Sequence, residues 1–256
     1  MVVGYISPEI IENYGINFEK SWTSIKSSLD VFYNSFCLEM DHLFMNVLNE
    51  KPNIVIDNFI HDDAIIIDRW MDQKDQTIVI NSDYFEETLG LNCDKCLNRW
   101  IKTREFNLGH EIAHLYRFER NPDLRGKLNS FFNNYSKTSW IIEETIAELS
   151  AMTYFHKNDK LEEVLDYVLG VSFDYNPNSD FNFGRMAYDM VTKNSDNLDS
   201  FLYHFLRCDE EEAIKVISNY ESSHRNLHYV SRDRYFQNCV HKGDSFINYE
   251  KQLLLF

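Results

Sequence analysis

Two histidines four residues apart with a glutamate behind the first, His110-Glu111-x-x-His114, constrain this chain more than any other feature. They lie in the stretch Lys102 to Arg117, KTREFNLGHEIAHLYR, which has no proline and reads as one helix. On a helix, residues i and i+4 project from one face, so the two imidazoles can share a single metal ion. Glu111 is turned about 100 degrees from His110 around the axis. That sets a carboxylate beside the metal without making it a ligand, where it can take a proton from a water the metal has acidified.

A metal held by two imidazoles needs a third protein ligand if it is to do chemistry and still leave a position for water. The stretch Ser139 to Phe155, SWIIEETIAELSAMTYF, reads as a second helix with Glu144, Ala147, Glu148 and Ala151 on one face. Glu144 is the expected third ligand, completing a His2Glu set for Zn2+. Ala147, one turn on, lets the two helices approach closely. Glu148 lies a turn beyond the ligand, where it can accept a hydrogen bond from the outer ring nitrogen of a metal-bound histidine and so fix its tautomer.

With these residues in place, the chain resembles a known family. Glu144-x-x-Ala147-Glu148 is similar to the E-x-x-A-D/E helix of the gluzincins, the thermolysin-like branch of zinc metallopeptidases. Arg104 to His114, REFNLGHEIAH, is similar to the R-x-F-T-L-A-H-E-L-G-H signature of the ImmA/IrrE family within that branch. The strand-like TIVINS at Thr77 to Ser82 resembles the strand that precedes the signature there. The likeness spans about residues 75 to 155. It departs at Gly109, where the signature has alanine, and at Met152-Thr153-Tyr154, where Leu-Met-Pro often closes the third-ligand helix.

The resemblance implies a zinc-dependent endopeptidase acting on a protein or peptide, with Glu111 as general base. It also implies a sheet against the metal helix, its edge strand lining the cleft and able to pair with an extended peptide. An oxyanion donor would follow the third ligand. Tyr154, Tyr188, His204, His224 and His228 are all candidates, and the sequence does not choose among them. ImmA/IrrE-like proteins are associated with cleaving or controlling repressors, which implies a repressor-type protein partner. The competing expectation is a zinc-stabilised sensor or interaction protein that regulates such a partner without turnover, and a third is a delivered effector peptidase. Retention of Glu111 favours the enzyme, since a structural zinc site has no use for that carboxylate.

Around this centre the chain reads as α+β. From Phe18 to about Asn49, apolar residues fall at Trp22, Ile25, Leu29, Phe32, Phe36, Met40, Leu43 and Val47, in steps of three and four: a long amphipathic helix, with His42 off the stripe. Three β-branched runs follow at Asn53 to Asp57, Ala64 to Trp70 and Gln76 to Asn81, the last two spaced for an antiparallel hairpin. The expected architecture is a small, mostly antiparallel sheet packed on the active-site helix. It precedes an α-helical lobe with helices at Leu161 to Leu169, Phe183 to Lys193, Leu198 to Arg207 and Glu210 to Tyr220. No linker or repeat interrupts residues 1–256, so a single zincin-like domain is expected, residues 1–120 carrying the N-terminal helix, sheet and active-site helix and 121–256 the lobe with the third ligand.

With 25 basic against 41 acidic residues, the net charge of −16 opposes a phosphate backbone and disfavours direct nucleic-acid binding. The N-terminus lacks a basic segment followed by an apolar one, and no apolar run approaches a membrane span. Five cysteines without a repeating framework suit a reducing compartment, and a cytoplasmic location is expected. Cys93-Asp94-Lys95-Cys96 stands apart. A four-thiolate zinc site would need Cys208 and Cys239 beside it and ranks below an ordinary buried or surface pair, and a redox role would need a βαβ context that is absent.

Overall fold

In the computed structural model the apolar stripe forms α1, Pro8–Phe44, which begins earlier than the stripe requires because Pro8 fits a first helical turn. The structure describes residues 2–4, 8–44, 51–57, 64–67, 77–82, 85, 88, 93–120, 137–172, 183–221 and 230–231. Ile25, Leu29, Phe32, Phe36, Met40 and Leu43 are all buried, while His42 is exposed. Val47, His224, His228 and Cys239 lie outside the described residues.

Four strands form the larger sheet: β1 (Val2–Gly4), β2 (Asn53–Asp57), β3 (Ala64–Ile67) and β4 (Thr77–Asn81), in the order β1-β2-β4-β3. The expectation of a mostly antiparallel sheet is corrected here. β1 runs parallel to β2 and β2 parallel to β4, and only the hairpin strands β3 and β4 are antiparallel. The physical reason is visible in β4, whose five positions are all buried. A strand covered on both faces carries a continuous apolar run instead of an alternation, the pattern of parallel strands flanked by helices. β1, α1 and β2 form one such crossover unit.

Seven α-helices and one 3-10 turn (Ser195–Asn197) are described. After α1 come α2 (Asp94–Arg120), α3 (Lys137–Lys157), α4 (Leu161–Gly170), α5 (Phe183–Lys193), α6 (Leu198–Phe205) and α7 (Glu210–Glu221), with a short parallel pair β5 (Val171–Ser172) and β6 (Val230–Ser231). The described chain is thus mostly helical with two small sheets, compatible with an α+β description. α2 is central: it contacts β3 and β4, α1, α3 and α4. One apolar cluster joins α1, the sheet, α2 and the later helices through Phe36, Ile80, Trp100, Leu115, Phe155 and Leu202.

Small residues let this happen. An added Cβ at Gly109 would stand 3.1 Å from both Phe32 Cζ and Phe36 Cε2, so α1 crosses α2 where α2 has no side chain. Among the described residues no helix is long and apolar enough to cross a membrane.

Candidate metal centre

The centre forms where α3 lies along α2. Ala147 of α3 is buried, 1% exposed, and its small side chain suits a close approach. His110 and His114 then face Glu144 across the helix pair. His110 Nε2 is 3.1 Å from His114 Nε2 and 3.3 Å from Glu144 Oε2, and His114 Nε2 is 3.7 Å from Glu144 Oε1. One ligand atom from each residue falls within 4.8 Å of the others, so this group could hold a metal ion; it is the only such trio of His, Cys, Asp or Glu among the described residues.

Glu148 takes the expected position. Its Oε2 accepts a hydrogen bond from His110 Nδ1 at 2.9 Å, leaving Nε2 aimed at His114 and Glu144. Glu148 is 2% exposed, so the carboxylate is committed to this contact. The side chain of Glu144 remains 26% exposed, and Glu111 is partly exposed, so the site opens on their side.

Burial opposes a charge on either imidazole, yet the two respond differently. At His110 the hydrogen bonds and charges of Glu144 and Glu148 outweigh desolvation and hold its pKa well above 6.5. At His114 desolvation prevails over the pull of Glu144, aided by His110 and Arg117, and the pKa is pushed down to about 4. The resulting arrangement is consistent: a charged His110 donates from Nδ1 to Glu148 and from Nε2 toward Glu144 and the neutral His114. For His110 to serve as a metal ligand through Nε2, it would have to give up the proton held there.

Two residues that the sequence reading assigned no role hold the third ligand in register. Arg117, one turn past His114, donates to Glu143 Oε2 from Nε at 3.2 Å and to Oε1 from Nη2 at 2.6 Å. Its Nη1 reaches the carbonyl of Leu206 at 3.0 Å, at the end of α6. Glu143 is only 3% exposed and directly precedes Glu144, so this fork fixes the rotation of α3. A carboxylate one residue from a ligand and a guanidinium one turn from another was the available signal.

Of the oxyanion candidates, Tyr154 is a core residue. Its hydroxyl donates to Ser35 Oγ on α1 at 2.8 Å, and its ring meets Phe32 edge-on at 5.1 Å. His204 is exposed and pairs with Glu212 on α7 at 3.1 Å. Tyr188 is half-buried against the core on α5. Cys93, Cys96 and Cys208 do not gather into a metal-binding trio.

No family model, curated protein or solved structure matches the chain.

Proposed function

We propose that this protein is a zinc metallopeptidase of the gluzincin type, most like the ImmA/IrrE family, acting on a protein or peptide substrate in a cytoplasm. The observation that carries the proposal is the convergence of His110, His114 and Glu144 from two helices, with Glu144 and the neighbouring residue Glu111 both partly exposed. Zinc is favoured because the donor set is His2Glu. In addition, a tetrahedral ion with bonds near 2 Å separates its ligand atoms by about 3.3 Å, close to the 3.1, 3.3 and 3.7 Å found.

Zn2+ held there supplies a Lewis acid that acidifies water and polarises a carbonyl. The chain's own residues do the rest. His110, His114 and Glu144 bind, and Glu148 holds His110 in the tautomer that presents Nε2. Glu111 accepts the proton of the attacking water and delivers it to the leaving amine. The edge strand β3 lies against α2 and pairs only with β4 among the described residues, so its outer edge supports docking of an extended peptide.

Replacing Glu111 by Gln tests this. The variant retains about one zinc per chain by elemental analysis and produces none of the new peptide ends that wild type generates in a cytosolic extract. A Glu111→Gln protein that still cuts at the wild-type rate removes Glu111 from the chemistry. If wild type itself produces no ends with zinc present, the sensor reading replaces the peptidase.

A further inference from the structure

The first turn of α2 carries chemistry the metal centre does not use. Cys93 is the residue before Asp94, and its carbonyl accepts the N–H of Leu97 at 3.1 Å, the first bond of the helix. Its sulfur accepts the N–H of Cys96 at 3.4 Å, so the thiol occupies the capping position usually taken by serine or aspartate. The two thiols are free of disulfides, their residues are joined by that contact, and they are unequal in depth: Cys93 is half-buried, and Cys96 is 5% exposed within the apolar core.

We propose that Cys93 and Cys96 form a thiol–disulfide exchange site, with Cys93 the attacking sulfur, Cys96 the resolving sulfur, and a low-molecular-weight disulfide the oxidant. Residues three apart on a helical turn have Cβ atoms about 5 to 6 Å apart, and a cap position, free of helical dihedrals, can close the remaining gap to the roughly 4 Å a disulfide needs. The redox role set aside for want of a βαβ unit therefore returns on other grounds, the seating of the Cys93 sulfur on the backbone N–H of Cys96 in the first turn of α2.

The electrostatics run the same way. Donation from Cys96, by side chain and backbone, lowers the pKa of Cys93, outweighing desolvation and Asp94. Burial and the Cys93 sulfur push Cys96 up to about 11, against the pull of Arg99. One thiol is primed to attack and the other is held in reserve as the protonated partner.

The exchange balances. The Cys93 thiolate attacks one sulfur of the small disulfide, whose S–S bond breaks and releases one thiolate that takes up a proton. Cys96 then loses its proton, attacks the Cys93 sulfur of the mixed disulfide, and expels the second thiol. The protein gives up two electrons and two protons, and one disulfide becomes two thiols.

The test uses the full chain equilibrated in glutathione buffers from fully reduced to fully oxidised, acid-quenched, alkylated and read by mass spectrometry of the peptide containing residues 93–96. The expected result is conversion of that peptide to an internal disulfide, two hydrogens lighter. In Cys96→Ser, one glutathione is expected to accumulate on Cys93, at least about tenfold faster than on Cys96 in Cys93→Ser, whose serine keeps the cap. Recovery of both cysteines as free thiols in the most oxidising buffer overturns the proposal. So do equal adduct rates in the two variants. If Cys96→Ser does not fold, the relative alkylation rates of Cys93 and Cys96 in native wild type decide, and Cys96 reacting as fast as Cys93 overturns the assignment of roles. None of these readouts depends on zinc or on peptidase activity, so failure here and failure of the peptidase reading are separate results.

Discussion

Arg117→Ala should be among the most damaging single changes outside the ligands themselves. The substitution removes both hydrogen bonds to Glu143 and the one to the Leu206 carbonyl, and leaves a carboxylate that is 3% exposed without its counter-charge. Breaking a buried ion pair from one side costs about 3 to 5 kcal/mol. The Arg117 side chain is 18% exposed, so water can partly reach the vacated space and the lower end applies. The lost bond to a carbonyl adds about 1 kcal/mol. A total near 4 kcal/mol corresponds to a fall in melting temperature of about 8 to 16 °C for a chain of this size.

The assay is thermal unfolding followed by circular dichroism in a chelator, so that zinc does not mask the loss. Adding Glu143→Gln to Arg117→Ala removes the stranded charge and should recover about half of the deficit, a coupling that a double-mutant cycle reads directly. Because Glu143 directly precedes Glu144, zinc affinity should fall about tenfold in the single variant, as for other residues that orient ligands. A melting temperature within 2 °C of wild type, or a coupling below about 0.5 kcal/mol, would refute the view that this fork sets the register of α3.

Four further outcomes follow from the geometry. Glu144→Ala should lose most zinc affinity by competition with a chromophoric chelator, and full affinity would show the third ligand misassigned. Glu148→Gln keeps the shape but loses the charge on His110 Nδ1, so zinc should dissociate about tenfold more readily while the fold is retained; unchanged affinity contradicts the role of that contact. Gly109→Ala gains about 1 kcal/mol of helix propensity but presses on Phe32 and Phe36, rings already wedged by Tyr154 at 5.1 and 5.3 Å, and overpacking of about 1 to 3 kcal/mol should leave a net loss. A more stable Gly109→Ala protein would show that α1 can yield. Zinc affinity should rise about tenfold per pH unit below the raised pKa of His110, because binding displaces one proton there. His114, already neutral above about 4, adds no second proton, so a slope of two near neutral pH would be the wrong answer.

The helical part of this protein was legible because helix period and metal chemistry make the same demand of the same residues. His110 and His114 must share a face, and so must Glu144 and Glu148, and each pair meets its neighbour as its spacing requires. The direction of the strands was not read correctly, although β4 held the signal: Ile78-Val79-Ile80 is apolar without alternation, which marks a strand covered on both faces. Val2–Gly4 is too short for any period to show. Tyr154 looked like a donor because it follows the third ligand, but which way a residue faces depends on where α1 crosses, and that contact is 119 residues distant in sequence. The Arg117–Glu143 fork fails to stand out for the same reason: alone, each residue reads as solvated charge.

What the sequence leaves implicit is how a helix is held still enough to bind a metal. Bond lengths to zinc tolerate only a few tenths of an ångström, finer than apolar packing alone enforces. The answer lies at the two ends of the active segment of α2. At one end buried Glu105 accepts from Ser28 of α1 at 2.6 Å and from Lys102 at 2.7 Å, and Lys102 also pairs with Glu163 of α4 at 3.4 Å. At the other, Arg117 ties α2 to α3 and to the end of α6. The twelve residue steps from Glu105 to Arg117 span about 18 Å, and both histidines lie inside. Gly109 and Ala147 bring α1 and α3 close, and directional polar contacts at either end stop the helix from sliding or turning under them. Loosening the Glu105 end by Ser28→Ala should therefore weaken zinc binding as loosening the Arg117 end does, though less, because one neutral donor is lost and Lys102 remains.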